Sequence, residues 1–167
     1  AQVGAAAKHY PGLGAVSGNT DFTTEGILDT TTTLDGAEAG AFDQSITKAD
    51  PAMLMMSLAT YQSIDPNNPA VFSSTIIDGH IRNVLKYTGV VISDSMSAEA
   101  LSNYDVSQLG VKLVEAGGDM SCIGQTDYVK PIVDGLNERA KSDPAFASKV
   151  TAAATRVMTL KIKMGLA

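Results

Sequence analysis

Short apolar runs alternate with helix-forming stretches four times along these 167 residues, and that alternation predicts an α/β fold on a parallel sheet. One run makes the point by itself. GVVIS, Gly89 to Ser93, is β-branched without polar alternation, as in a strand buried on both faces. Composition adds a third observation: 44% hydrophobic and 18% charged residues suit a single globular unit over residues 1–167.

The first run is QVGAAAKHY, Gln2 to Tyr10, and a Gly/Thr/Asp-rich loop follows it as far as Thr33. DGAEAGAFDQSITK, Asp35 to Lys48, is Ala-rich and reads as a helix, and Asp50-Pro51 ends it. AMLMMSLAT, Ala52 to Thr60, reads as the second strand, with Met53, Met55 and Met56 filling core gaps. A loop of turn formers, Asp65 to Pro69, comes next. In SSTIIDGHIRNVLKYTG, Ser73 is a good N-cap, Ile76, Ile77, Ile81, Val84 and Leu85 form an apolar face, and Gly89 is the stop. GVVIS is the third strand. Val106, Leu109, Leu113 and Val114 mark a helix that ends at Gly117-Gly118. DMSCIG, Asp119 to Gly124, is the fourth strand, and two helices close the chain, Asp127 to Ala140 and Pro144 to Met164, with Pro144 in the first turn.

Ligands of parallel α/β folds gather at the carboxyl ends of the strands. Lys8, His9, Thr60, Tyr61, Asp94, Gly124 and Gln125 follow or end these runs, so they are expected on one rim. Asp94 reads either as a catalytic carboxylate or as a cap for the next helix. Lys8 and His9 read either as donors to a substrate or as a snorkelling Lys and a His satisfied by a carbonyl. Asp21, Glu25, Asp29 and Asp35 punctuate the long first loop, and none stands out. His80, between Asp78 and Arg82, reads as packing or surface, and Cys122 as a small buried hydrophobe.

Other classes are excluded. A net charge of −6 with scattered cations argues against nucleic acid, and no apolar run is long enough for a membrane span. Two His and one Cys far apart give no zinc pattern, and GLGAVSG lacks both the phosphate-loop Lys-Ser/Thr and the dinucleotide spacing. Neither a metal nor an organic cofactor is implied. The lone Cys122 rules out an internal disulfide and leaves the compartment open, exported or cytoplasmic. With no starting Met, the chain reads as processed, trimmed or cut from something longer.

AAAKHYPGLG, the stretch from YQSIDPNNPAVF through VVISDSMSAEAL, then EAGGDMSCIG and RVMTLKIKMGLA together resemble glycoside hydrolase family 3 in its bacterial β-N-acetylhexosaminidase-like branch. The resemblance implies the catalytic, TIM-type barrel domain, entered near the fifth strand. Four βα units plus a C-terminal helix are then half of a barrel that takes about 250 residues. Half a barrel exposes two sheet edges and an inner face, which implies a partner: a second copy, the missing N-terminal half, or a swapped neighbour.

The resemblance further implies retaining hydrolysis of a non-reducing terminal sugar, with Asp94 as nucleophile and Lys8 and His9 gripping hydroxyls. Tyr61, on the same rim, is taken as a substrate contact. The chain also departs from the family pattern. Asn19, Thr20 and Asp21 stand where the branch has an Asp-Ser-His triplet, and Leu13 and Leu58 replace further His residues. Acid/base work falls to Asp21, to Glu25 or to a group outside the chain; Asp21 suits it if partial burial raises its pKa. The isolated chain is expected to be inactive. The competing reading is a non-catalytic carbohydrate-binding or self-assembling half-barrel.

Overall fold

The computed structural model describes residues 3–24 and 26–167, so Gln2, at the head of the first run, and Glu25, a candidate acid/base group, lie outside the described residues. Six strands form: β1 (Ala6–Tyr10), β2 (Leu28–Asp29), β3 (Met53–Met56), β4 (Thr60–Tyr61), β5 (Val90–Ser95) and β6 (Met120–Cys122). The helices are α1 (Ala37–Ala49), a π-helix (Thr75–Val84), α2 (Val106–Glu115), α3 (Val129–Ser142) and α4 (Pro144–Lys163). β1, β3, β5 and β6 make one sheet in that order, parallel throughout, which is the expected α/β architecture. β2 and β4 form a separate parallel pair.

One sheet face is covered. Leu54 and Met56 of β3 and Val91 of β5 are buried with Ile76, Ile77 and Ile81 of the π-helix and with Leu109 and Leu113 of α2. On the opposite face Met53, Met55, Ile92 and Met120 are only half-buried. Of the three methionines expected in the core, Met56 alone is there, because the period of two sends Met53 and Met55 to the uncovered side. Among the described residues β1 and β6 each have one neighbour, so both edges of this sheet are unpaired.

Three other expectations shift. The second strand stops at Met56 instead of Thr60: Ala59 N–H turns to Ser57 Oγ at 2.9 Å, and Thr60-Tyr61 pair with the loop strand β2. The N-cap of the next helix is Ser74 instead of Ser73, whose Oγ still accepts Ile76 N–H at 3.2 Å; the winding beyond is i→i+5, as in Gly79 N–H to Ser74 O and Leu85 N–H to His80 O. This wider winding rotates Val84 off the apolar face, and it is 65% exposed. The helix ends at Val84, and Lys86 just beyond it takes a left-handed φ of 57°, ahead of Gly89. Gly89 is needed for space, since a Cβ there would lie 2.3 Å from the Tyr87 hydroxyl. Pro144 takes the first helical turn of α4 as expected, behind Asp143, whose Oδ1 accepts Ala145 and Phe146 N–H.

The amino end of the sheet is locked around Asp119, which has no exposed side-chain surface. Its Oδ2 accepts Arg82 Nη2 and, at 2.8 Å, Val91 N–H; its Oδ1 accepts Arg156 Nε at 2.8 Å. Arg82 also donates to the Tyr87 and Gly89 carbonyls at 2.9 and 2.8 Å. Beside it the Tyr87 hydroxyl donates to Pro51 O at 2.8 Å.

Candidate active site

At the carboxyl end of the sheet lies an open cavity of about 440 Å³. β1 contributes Lys8 and His9, β5 contributes Asp94, and the loop after β1 contributes Leu13, Val16 and Asn19 to Asp21, with Ile27. On β1 and β5, the two strands that flank β3 in the sheet, His9 and Asp94 face each other, with His9 Nε2 3.3 Å from Asp94 Oδ2. Each keeps about a quarter of its side chain exposed, at 24% for His9 and 23% for Asp94. Asp94 Oδ1 accepts Ser95 N–H at 2.8 Å, which leaves Oδ2 directed to His9. The carboxylate therefore does not cap a following helix through this contact; it is held at its own strand end.

The His9 imidazole titrates below its ordinary range. Burial is the largest cause, Asp94 opposes it, Lys8 reinforces it and Asp21 opposes it again. A neutral ring beside a carboxylate acts as an N–H donor, so the contact is one of polarity more than of opposite charges.

The loop that carries Asp21 is tied down at several points. Asp21 N–H donates to Asn19 Oδ1 at 2.9 Å, Ala100 N–H to Thr20 O at 3.0 Å, and Thr60 N–H to Ile27 O at 2.8 Å. Asp21 lines the cavity, but it is exposed where the sequence-based expectation asked for partial burial. Tyr61 is not part of the cavity lining. It is fully buried, and its hydroxyl donates to Gly12 O beneath the glycine-rich loop. Burial raises its phenol pKa above the ordinary range. Thr60 pairs with Leu28, and Gly124 N–H turns to Ser97 Oγ at 3.2 Å; of the seven residues expected on one rim, Lys8, His9 and Asp94 line the cavity. Leu58 is buried in the core, and Cys122 is half-buried on the edge strand β6 instead of fully enclosed.

Sequence reasoning missed the apolar wall that Leu13, Val16 and Ile27 give the cavity; their spacing in a loop carries no periodic signal. It also missed a contact behind β1, where Asp43 Oδ2 lies 2.9 Å from His80 Nε2 and Asp43 Oδ1 accepts the Tyr10 hydroxyl at 3.1 Å. Among the described residues no three His, Cys, Asp or Glu side chains converge as metal ligands, and no helix is long and apolar enough to cross a membrane.

The chain matches the Glycosyl hydrolase family 3 N terminal domain over residues 1–160. It is 30% identical over 120 residues to a beta-hexosaminidase of Nitrosomonas eutropha, covering 71% of this chain and 34% of that protein. The crystal structure of a beta-N-acetylhexosaminidase from Beutenbergia cavernae superposes with a TM-score of 0.86 at 38% identity, covering 93% of this chain and 46% of that one. A family 3 beta-N-acetylglucosaminidase from a Paenibacillus species gives a TM-score of 0.88 at 25% identity, over 98% of this chain and 32% of that one. The chain thus spans between about a third and a half of the length of these relatives.

Proposed function

The chain belongs to the family 3 glycosyl hydrolases, and from that premise we propose that the intact protein removes a non-reducing terminal sugar with retention, an N-acetylhexosaminide being the first substrate to try. The observation that carries this reading is the placement of Lys8, His9 and Asp94 around one cavity, with His9 Nε2 3.3 Å from Asp94 Oδ2. Lys8 donates to sugar hydroxyls, and the ring nitrogen of His9 that faces away from Asp94 accepts from one, which together fix the ring over Asp94. Asp94 Oδ2 attacks the anomeric carbon, the glycosidic C–O bond breaks, and the leaving oxygen takes a proton from the acid/base group. Water then attacks the same carbon, losing a proton to the acid/base group as the ester bond to Asp94 breaks. Among the described residues Asp21 lines the cavity and is the acid/base candidate, with Glu25 or a group outside the chain as the alternatives. Tyr61 serves indirectly, by anchoring Gly12 of the loop that carries Asp21.

The unpaired edges of β1 and β6 and the half-buried Met53, Met55 and Ile92 support a further expectation, that the pocket is completed by more of the barrel or by a second copy of this chain. The chain alone is then without turnover. A second reading, a non-catalytic sugar-binding or self-assembling scaffold, is favoured by Leu58: where the family resemblance calls for an imidazole, a leucine sits sealed in the core.

Proton NMR of an aryl N-acetyl-β-hexosaminide incubated with the intact protein tests the proposal. The β-anomer should form first, and Asp94→Asn should abolish its release. The α-anomer first, or undiminished release by Asp94→Asn, overturns the retaining mechanism; sugar binding without any release favours the scaffold.

A further inference from the structure

His9 occupies an irregularity in β1. Lys8 aligns with Met55 and Tyr10 with Met56, so His9 is the extra residue of a bulge. Bulges beside active sites re-aim a side chain, and the extra residue has no ladder partner to hold it. Beyond its own contact with Asp94, the aim of His9 is therefore set by its neighbours in the chain.

Tyr10 is that neighbour. It is fully buried, its carbonyl accepts Ser57 N–H at 2.9 Å, and its ring packs edge-on against Phe42 with centroids 5.6 Å apart. Its hydroxyl donates to Asp43 Oδ1 at 3.1 Å, and the other oxygen of Asp43 lies 2.9 Å from His80 Nε2. Burial, reinforced by Asp43, raises the Tyr10 phenol well above its ordinary range, so it stays a donor. An ionised carboxylate only accepts, so Nε2 of His80 carries a proton in this contact. One carboxylate thus joins β1, α1 and the π-helix. Asp43 and His80 are only 20% and 14% exposed, and neither lines the cavity. A carboxylate so enclosed is costly to keep without both donors.

We propose that Asp43 and His80 are positioning residues: through Tyr10 they hold the bulged end of β1 so that His9 faces Asp94. The proposal rests on reading Lys8, His9 and Asp94 as the sugar site. A misplacement of about 1 Å at reacting groups can cost on the order of 100-fold in rate, so a loosened bulge should be visible in kinetics.

The test uses the intact protein with Tyr10→Phe, Asp43→Ala, both together, and the near-isosteric Asp43→Asn. Melting temperature, kcat/KM on the aryl N-acetylhexosaminide and the NMR titration of the His9 ring are read for each. Each of the first two changes should lower kcat/KM about 10-fold. The combined variant should fall no further than Asp43→Ala alone, because both break one connection. Asp43→Asn, which can still accept from Tyr10, should recover most of the loss. The charged groups facing His9 are Asp94, Lys8 and Asp21, and burial outweighs them. A His9 ring freed from its place should therefore titrate nearer to its ordinary value of about 6.5. Lowered melting temperature with kcat/KM and the His9 titration unchanged would show that the contact only holds the fold together, and additive losses would also overturn the proposal. Should the wild type show no turnover, the sugar-site reading fails on its own, and the His9 titration still decides this one: movement supports it, and no movement overturns it.

Discussion

The two ends of the sheet treat a buried-side carboxylate in opposite ways. At the amino end the Asp119 side chain has no exposed surface and accepts from two arginines and a backbone N–H. At the carboxyl end Asp94 keeps 23% of its side chain exposed, takes one N–H from its own neighbour and turns its second oxygen to a neutral imidazole. The first arrangement satisfies the charge; the second leaves it free to act. On the proposed function, stability and reactivity sit at opposite ends of one sheet, as parallel α/β folds allow.

The largest expected effect tests the reactive end. In the intact protein Asp94→Asn should reduce hydrolysis by at least about 1,000-fold while shifting unfolding by less than about 0.5 kcal/mol. A large loss of stability in urea titration would break the contrast. Asp119→Ala should do the reverse. It leaves Arg82 and Arg156 without their shared counter-charge, and loss of a buried partner costs about 3–5 kcal/mol. Denaturant midpoints measure it, and the fraction that stays folded should still hydrolyse substrate. Tyr87→Phe sharpens the same end more gently: losing the bond to Pro51 O should cost about 1 kcal/mol, with no change in rate.

The smallest effect is a pH slope. Because burial depresses the folded His9 pKa, the unfolded chain binds a proton that the folded chain resists. His9's contribution to stability is complete above its unfolded value of about 6.5 and is lost as pH falls from there through the folded value. His9→Gln should flatten that part of the stability curve, as read from urea midpoints on either side of it. An unchanged slope would mean the ring is not held as the cavity geometry implies.

Much of this was legible in the sequence because it is local. The β-branched run before Asp94, the small residues before Lys8-His9 and Pro144 behind its capping Asp143 each announce an element within a few residues. What was not legible depends on distant partners. The end of β3 at Met56 is decided by Thr60-Tyr61 pairing instead with Leu28-Asp29, far back in the first loop. The i→i+5 winding exposes Val84 although its spacing fits an ordinary apolar face. His80 reads as a surface or packing residue until the fold brings Asp43, 37 positions away, to within 2.9 Å. Arg82 lies on the π-helix, Asp119 just ahead of β6 and Arg156 on α4, and nothing in their spacing signals that they converge.

The most direct test of the central claim is peptide mapping after treating the intact protein with a 2-fluoro glycoside carrying a good leaving group. The account expects a single covalent sugar on Asp94, in the peptide containing SDSMS, and none in Asp94→Asn. A sugar on another carboxylate, Asp21 included, or hydrolysis of ordinary substrate with no trapped ester, would contradict it.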